Sequence, residues 1–315
     1  MKDSFGREID YLRLSLTERC TLRCAYCRAD EGYCPKSQEL TAEEFILIAE
    51  SAVDLGVKRI RLTGGEPLLR KDLLQIVSGI ASLPGLSDLS MTTNAQMLAE
   101  LAADLKAAGL MRLNISMDTL KPDLFNDLTG GSLQKVLDGI QAAIEAGFDP
   151  IKINCVLMRG VNDSEIDDFI ALTENHKIDV RFIEYMPIGG SNSSDRLRVN
   201  NQELVAARSW LVPLAPRLHG QPSSDYTYEG ALGRVGFISP ISHRFCGDCN
   251  RIRVMSDGCL RTCLGRDNEV SLRAALDEGK AALKQAMSEA IVDKPARHCF
   301  DQEALAKRNM SRIGG

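Results

Sequence analysis

The 315-residue sequence has no apolar run approaching the roughly 18 residues of a membrane-spanning helix. Its opening, MKDSFGREID, carries neither an apolar signal core nor a small-residue cleavage site, so the expected location is cytoplasmic, away from any membrane. Histidine is scarce, at 4 residues, and no HExxH or serine-nucleophile pattern occurs, which leaves zinc- or serine-dependent hydrolysis without a constellation. A GxxxxGKS or GxxxxGKT phosphate loop is missing as well, so ordinary GTPase chemistry has no support. Cationic excess is also lacking: 38 Lys and Arg stand against 43 Asp and Glu, a net charge of −5. That balance disfavours a strongly basic nucleic-acid binder but permits a local cationic pocket for a small anion. With 44% hydrophobic and 26% charged residues and no low-complexity tract, the chain reads as folded and globular. Its length allows one large domain or two ordinary ones.

Short apolar or alternating segments recur at 11–16, 59–62, 86–91, 111–115, 151–157 and 180–183, and read as strands. Between them lie stretches of helical period. The clearest begins at Thr41, where Phe45, Ile48, Ala49, Ala52 and Leu55 share a face, Thr41 and Glu44 form a capping box, and Gly56 supplies a stop. Regular strand and helix alternation predicts an α/β fold with parallel strands and right-handed crossovers, either an open sheet or a barrel. After Met186 the texture changes, with a loop at 189–194, a hairpin-like stretch at 232–255, an amphipathic helix at 274–290 and a tail that ordinarily frays. The expected division is 1–186 and 187–315.

Ten cysteines in a reducing compartment do not predict a disulfide framework, and their uneven grouping points to metal. Cys20, Cys24 and Cys27 form a CxxxCxxC triplet just after the first strand, at the sheet edge where α/β folds place their chemistry. Three thiolates with no fourth His or Asp beside them leave one coordination position open. A structural zinc site closes itself with four ligands, whereas a 4Fe-4S cluster on three thiolates exposes one iron. The triplet, with Tyr26 before its last cysteine, resembles the signature of the radical S-adenosylmethionine superfamily. That resemblance implies an incomplete (βα)6 TIM-type barrel with a smaller mixed C-terminal region, with Cys20, Cys24 and Cys27 as cluster ligands. It further implies that Tyr26, Gly65 in Thr63-Gly64-Gly65-Glu66-Pro67, Ser116 and Met186 contact S-adenosylmethionine. Cys34 has no counterpart in the motif.

A second group comprises Cys246, Cys249, Cys259 and Cys263. On spacing alone it suits a four-thiolate structural zinc site. The adjoining CxxCNRIR segment resembles the carboxyl-terminal motif of the GTP 3′,8-cyclase family, which begins molybdenum cofactor biosynthesis. The resemblance makes Cys246, Cys249 and Cys263 the ligands of a second 4Fe-4S cluster and leaves Cys259 outside the pattern. Arg251 and Arg253 alternate on one strand face, and guanidinium forks match phosphate oxygens. Together with Arg13, Arg61, Lys152 and Thr92 they fall at positions that look like the family's GTP contacts. The terminal Gly314 and Gly315 match a tail that enters the family's active site and takes part in catalysis. Implied partners are GTP, an electron donor and a downstream enzyme that accepts the cyclic product, with the chain a monomer or homodimer. Two other readings remain: a peptide-modifying radical enzyme with an auxiliary cluster, and a zinc-stabilised nucleic-acid-binding module. Cys155 and Cys299 carry no assignment.

Overall fold

The computed structural model describes residues 1–24, 26–27, 34–186, 188, 194–300, 308 and 310–314. Its twelve strands are β1 (Tyr11–Ser15), β2 (Arg59–Thr63), β3 (Asp88–Thr93), β4 (Arg112–Ser116), β5 (Ile151–Leu157), β6 (Ile178–Glu184), β7 (Val212–Pro213), β8 (Ser223–Thr227), β9 (Val235–Ile238), β10 (Arg251–Val254), β11 (Cys259–Arg261) and β12 (Glu269–Ser271). They form one sheet in the order β12-β11-β10-β1-β2-β3-β4-β5-β6-β9-β8-β7. From β10 through β9 every neighbouring pair is parallel, and antiparallel strands extend both ends. Among the described residues no backbone bonding joins β12 to β7, and the barrel is not closed. Residues of β10 and β1 through β6 border a single cavity, which shows how far the sheet curls.

The sheet forms because each strand carries two incompatible faces. On β1, Leu12 and Leu14 are fully buried in the main core, whereas Tyr11 and Arg13 face the cavity. The same alternation sets Ile60 and Leu62 against Arg59 and Arg61, and Val180 and Phe182 against Arg181. Each fully buried aliphatic side chain contributes roughly 1.5–3 kcal/mol of transfer free energy. A one-residue slip of register would turn these leucines into the polar interior, so the alternation fixes the register. Helices cover the apolar face. The helix at Ala42–Asp54 buries Phe45, Ile48, Ala49 and Ala52, and its N-terminus is closed by the reciprocal Thr41 and Glu44 capping box. Gly56, at φ +99°, follows its end as expected.

Two expectations fail. The stretch 232–255 is not a hairpin: β9 pairs in parallel with β6, and β10 in parallel with β1, near opposite ends of the sheet. The antiparallel partners are β8 for β9 and β11 for β10. The late helix is also divided, into Arg273–Glu278 and Lys280–Val292, because Gly279 takes φ +96° and ψ −171°. The loop expected at 189–194 lies outside the described residues except for Ser194, which begins a short helix. Among the described residues no helix is long and apolar enough to cross a membrane.

One glycine outside the site supports the fold by close approach. A Cβ on Gly233 would lie 1.8 Å from the carbonyl oxygen of Ile178, at the start of β6. Gly233→Ala is therefore expected to cost on the order of 1–3 kcal/mol, read as a lower denaturant midpoint. An unchanged midpoint would show that the β6 entrance can shift without cost.

Candidate functional site

The site begins where β1 and β2 end. Backbone bonds from Leu16 to Thr63 (2.8 Å), Gly65 to Thr17 (2.7 Å) and Glu66 to Arg19 (2.7 Å) zip the two following loops together. A Cβ on Gly65 would stand 2.2 Å from the carbonyl of Arg19, and one on Gly64, at φ +137°, 2.4 Å from that of Thr17. The paired glycines therefore serve loop-to-loop approach, beyond whatever room they leave for a ligand. Glu66 is fully buried, and its carboxylate accepts from the Thr93 hydroxyl (2.7 Å) and the Asn94 (2.7 Å) and Leu68 (3.0 Å) amides. Burial raises its pKa to about 7 despite these bonds.

The zipped loops present Cys20, Cys24 and Cys27 to the cavity. The Cys20 sulfur accepts from the Leu22 amide (3.4 Å) and the Asn94 side chain (3.5 Å), a setting that suits a thiolate. Burial, then the charge of Asp118, pushes the Cys24 thiol up, so without a metal this sulfur stays protonated. The Tyr26 hydroxyl donates to Asp118 at 2.6 Å, and its ring meets Tyr185 edge-on at 6.3 Å. Asp118 also accepts from the Val156 amide at 2.8 Å and is raised by burial to about 6. Gly65, Ser116 and Met186 border the same cavity.

Cys246, Cys249 and Cys263 border this cavity too, whereas Cys259 does not. Burial opposes ionisation of Cys249, but Lys294 and Arg251 outweigh it and lower the thiol's pKa. Lys294 is held by carbonyls of Arg251 (2.9 Å) and Thr262. The donor set on both sides is therefore thiols backed by polar or cationic groups, which fits iron-sulfur ligation. Among the described residues no three His, Cys, Asp or Glu side chains converge as a single ion requires. A four-iron cube takes each thiolate on a different corner and does not need that convergence.

Between the two thiol groups runs a row of cations. Strand register places Arg253, Arg13 and Arg61 side by side, and the next row holds Arg251, Tyr11 and Arg59. Burial, then Arg253 and Arg61, pulls the Arg13 pKa well below its usual value; burial and Arg251 bring Arg253 to about 10. Some cations have internal partners: Arg59 with Asp10 (2.6 Å), Arg112 with Asp88, and both Lys152 (3.4 Å) and Arg217 (2.5 Å) with Asp179. Among the described residues Arg61 bonds to the Ser90 hydroxyl and stacks on Tyr11. The Nε of Arg253 has no hydrogen-bond partner among the described residues. Thr92 borders the cavity with its hydroxyl likewise without a partner. The enclosed volume is about 400 Å³.

All sixteen cavity positions expected from the sequence are thus brought together. Gly314 lies just behind: a Cβ there would stand 2.7 Å from Thr63 and 3.1 Å from Ser15, at the ends of β2 and β1. The tail is not frayed at this point, since Ile313 is fully buried against Ile188. Gly315 lies outside the described residues. Arg181, Arg112, Arg59, Asn94 and Asp118 also line the cavity and were not anticipated. The strand alternation that exposes Arg61 also exposes Arg59, and it was the available signal.

Lys152 carries a testable consequence. Burial, then Arg181, lowers its pKa to about 7, with Asp179 opposing. Between that value and the ordinary lysine range near ~10.4 the unfolded chain holds a proton that the folded chain lacks. The destabilisation from this residue is greatest below about pH 7 and fades as pH rises. Lys152→Met should gain more stability over wild type at about pH 6.5 than at about pH 9, by denaturant titration. An equal difference at both would place the charged amine in a solvated position.

Comparison with known proteins gives this geometry a family. The profile described as the radical SAM superfamily matches residues 14–173, and that of Molybdenum Cofactor Synthesis C matches residues 178–300. A GTP 3′,8-cyclase of Alkaliphilus oremlandii is 43% identical, covering 100% of both chains. That of Geobacter sulfurreducens is 45% identical, covering 99% of both. Among solved structures, Streptococcus suis SuiB bound to precursor peptide SuiA superposes with a TM-score of 0.66 at 16% identity, over 92% of this chain and 66% of that one. SuiB bound to S-adenosylmethionine gives 0.61 at 16% identity, over 84% of this chain and 63% of that one. The structural likeness speaks for the fold alone. The full-length identities favour neither a peptide-modifying enzyme nor a zinc module: this chain belongs to the GTP 3′,8-cyclase family of the radical SAM superfamily.

Proposed function

We propose that this chain converts GTP into 3′,8-cyclo-7,8-dihydro-GTP, the opening step of molybdenum cofactor biosynthesis, with S-adenosylmethionine and two 4Fe-4S clusters. The observation that carries the reading is the shared cavity, with a thiol triplet on either side and a guanidinium row between. Held by these residues, the first cluster and S-adenosylmethionine would supply the one-electron chemistry for removing the 3′ hydrogen of the nucleotide, which permits bond formation to C8.

The chain's own residues supply position, charge and exclusion of water. Cys20, Cys24 and Cys27 hold the first cluster, and Cys246, Cys249 and Cys263 the second. Tyr26, Gly65, Ser116 and Met186 receive S-adenosylmethionine, with Asp118 fixing the Tyr26 ring through its hydroxyl. Arg61 and Arg253, which have no carboxylate partner among the described residues, take the triphosphate with Arg13 and Arg251, while Lys152 and Thr92 complete its pocket. The arginines do not exchange protons here; they hold an anion where it cannot drift. Gly314 stands at the ends of β1 and β2 without a side chain in the way, and by the family resemblance Gly315 takes part in catalysis with it. In this reading 1–186 form the radical portion and 187–315 carry the second cluster, acting in the cytoplasm with an electron donor and an enzyme that consumes the product.

Loss of one hydrogen atom at C3′ is balanced by one electron and one proton added to the purine, so the product is an isomer of GTP. Anaerobic incubation with both substrates should give a nucleotide of unchanged mass, resolved by chromatography and shown by NMR to contain a C3′–C8 bond. Methionine and 5′-deoxyadenosine should accompany it in equal amounts. Recovery of unaltered GTP beside released deoxyadenosine would overturn the reading. Reconstituted protein should hold about eight irons. Arg253→Ala should keep that iron yet bind GTP about 5- to 150-fold more weakly, from a loss on the order of 1–3 kcal/mol, by anaerobic equilibrium binding. Unaltered affinity would remove Arg253 from the phosphate site.

A further inference from the structure

The residue immediately before the first cysteine loop's Arg19 is an acid with no solvent exposure, and the reading above gives it no part. The Glu18 carboxylate is fully buried, yet it is committed to two segments remote from each other in sequence. One oxygen accepts the Cys34 amide at 2.6 Å, beyond the far end of the cysteine loop. Both oxygens accept from the Arg312 Nε, at 3.2 and 3.1 Å, in the C-terminal tail. Its own backbone carbonyl meanwhile lies 2.6 Å from where a Gly65 Cβ would stand, so the residue cannot move without disturbing the glycine loop.

Arg312 is the only ion-pair partner of Glu18 among the described residues. A buried carboxylate whose single counter-charge comes from another segment ties the two segments together, because separation leaves the charge uncompensated. Among the described residues the tail around it adds a four-residue helix, Met310–Ile313, the small apolar cluster of Ile313 and Ile188 with Met186, Leu264, Phe300 and Met310, and Gly314 against Ser15 and Thr63. A second arginine, Arg308, pairs with Asp257 and Glu269, both at 2.8 Å, but that anchor grips the β10 to β12 side.

We infer that Glu18 and Arg312 form a latch that seats Gly314 and couples its seating to the loop bearing Cys20, Cys24 and Cys27. Both are positioning residues. The inference deepens the cyclase reading and rests on it for its catalytic consequence, although the latch itself can be read without turnover.

The test is hydrogen exchange of the reconstituted full-length protein, followed by mass analysis of peptides, beside assays of deoxyadenosine and cyclised nucleotide. In Arg312→Ala the C-terminal peptide should exchange about tenfold faster, with wild-type-like protection returning in Arg312→Lys. Glu18→Gln should loosen both that peptide and the one beginning at Cys34. In Arg312→Ala, deoxyadenosine should still be released but with cyclised product per deoxyadenosine falling about tenfold. Should Glu18→Gln fail to fold, the partly exposed Arg312 variants still decide the matter. Wild-type exchange of the tail in Arg312→Ala would overturn the latch. Faster exchange with an unchanged product ratio would overturn its role in seating Gly314. A wild-type protein that forms no cyclic product would instead count against the cyclase reading, while the exchange comparison would still decide the latch.

Discussion

Like charges buried side by side repel, and the architecture of this molecule is arranged around tolerating that repulsion until an anion arrives. Arg253, Arg13 and Arg61 sit in one register row at the sheet's inner face, and burial together with their neighbours depresses the pKa of Arg13 and Arg253. The opposite face of the same strands offsets the cost, since Leu12, Leu14, Ile60, Leu62 and Val254 are fully buried beneath the helices. Asp10, Asp88 and Asp179 neutralise part of the ring. Such a cavity is prepared in advance for a polyanion, and binding relieves strain already present.

The chemistry is held by loops, and the loops are held by one another. Two glycines allow the segments after β1 and β2 to approach within backbone contact, which no side chain at Gly64 or Gly65 would permit. Glu66 then pins the second loop to Thr93, the last residue of β3, and to Asn94 just after it, and Asn94 reaches back to the Cys20 sulfur. Rigidity passes from strand ends to thiols through these polar bonds, so the cysteines inherit positions set by the sheet.

Much of this was legible before any coordinates. The Leu-Arg-Leu alternation at 12–14 names a strand with one oily and one charged face, a similar apolar-Arg-apolar pattern recurs at 60–62 and 180–182, and the regular strand and helix alternation gives the parallel strands. Thr41 and Glu44 announce a helix start by local chemistry alone. What escaped notice depends on long-range choice. The segments at 235–238 and 251–254 both look like strands, yet which neighbours they take is decided by a sheet that no local pattern describes. Gly279 divides a helix that the apolar period carries straight through. The burial of Asp118 beside Tyr26, and of Glu18 beside Arg312, arises only when remote segments meet.

The parallel pairing of β10 with β1 bears on the order in which the molecule is made. The first strand bonds to residues 251–254, and Gly314 packs on its last residue, so its surroundings stay incomplete until those distant residues have left the ribosome. The loop bearing Cys20 through Cys27 is thus synthesised long before the residues that enclose it. Contacts of such sequence separation form slowly, which prolongs the interval during which these thiols are accessible to delivery factors and to oxidants alike.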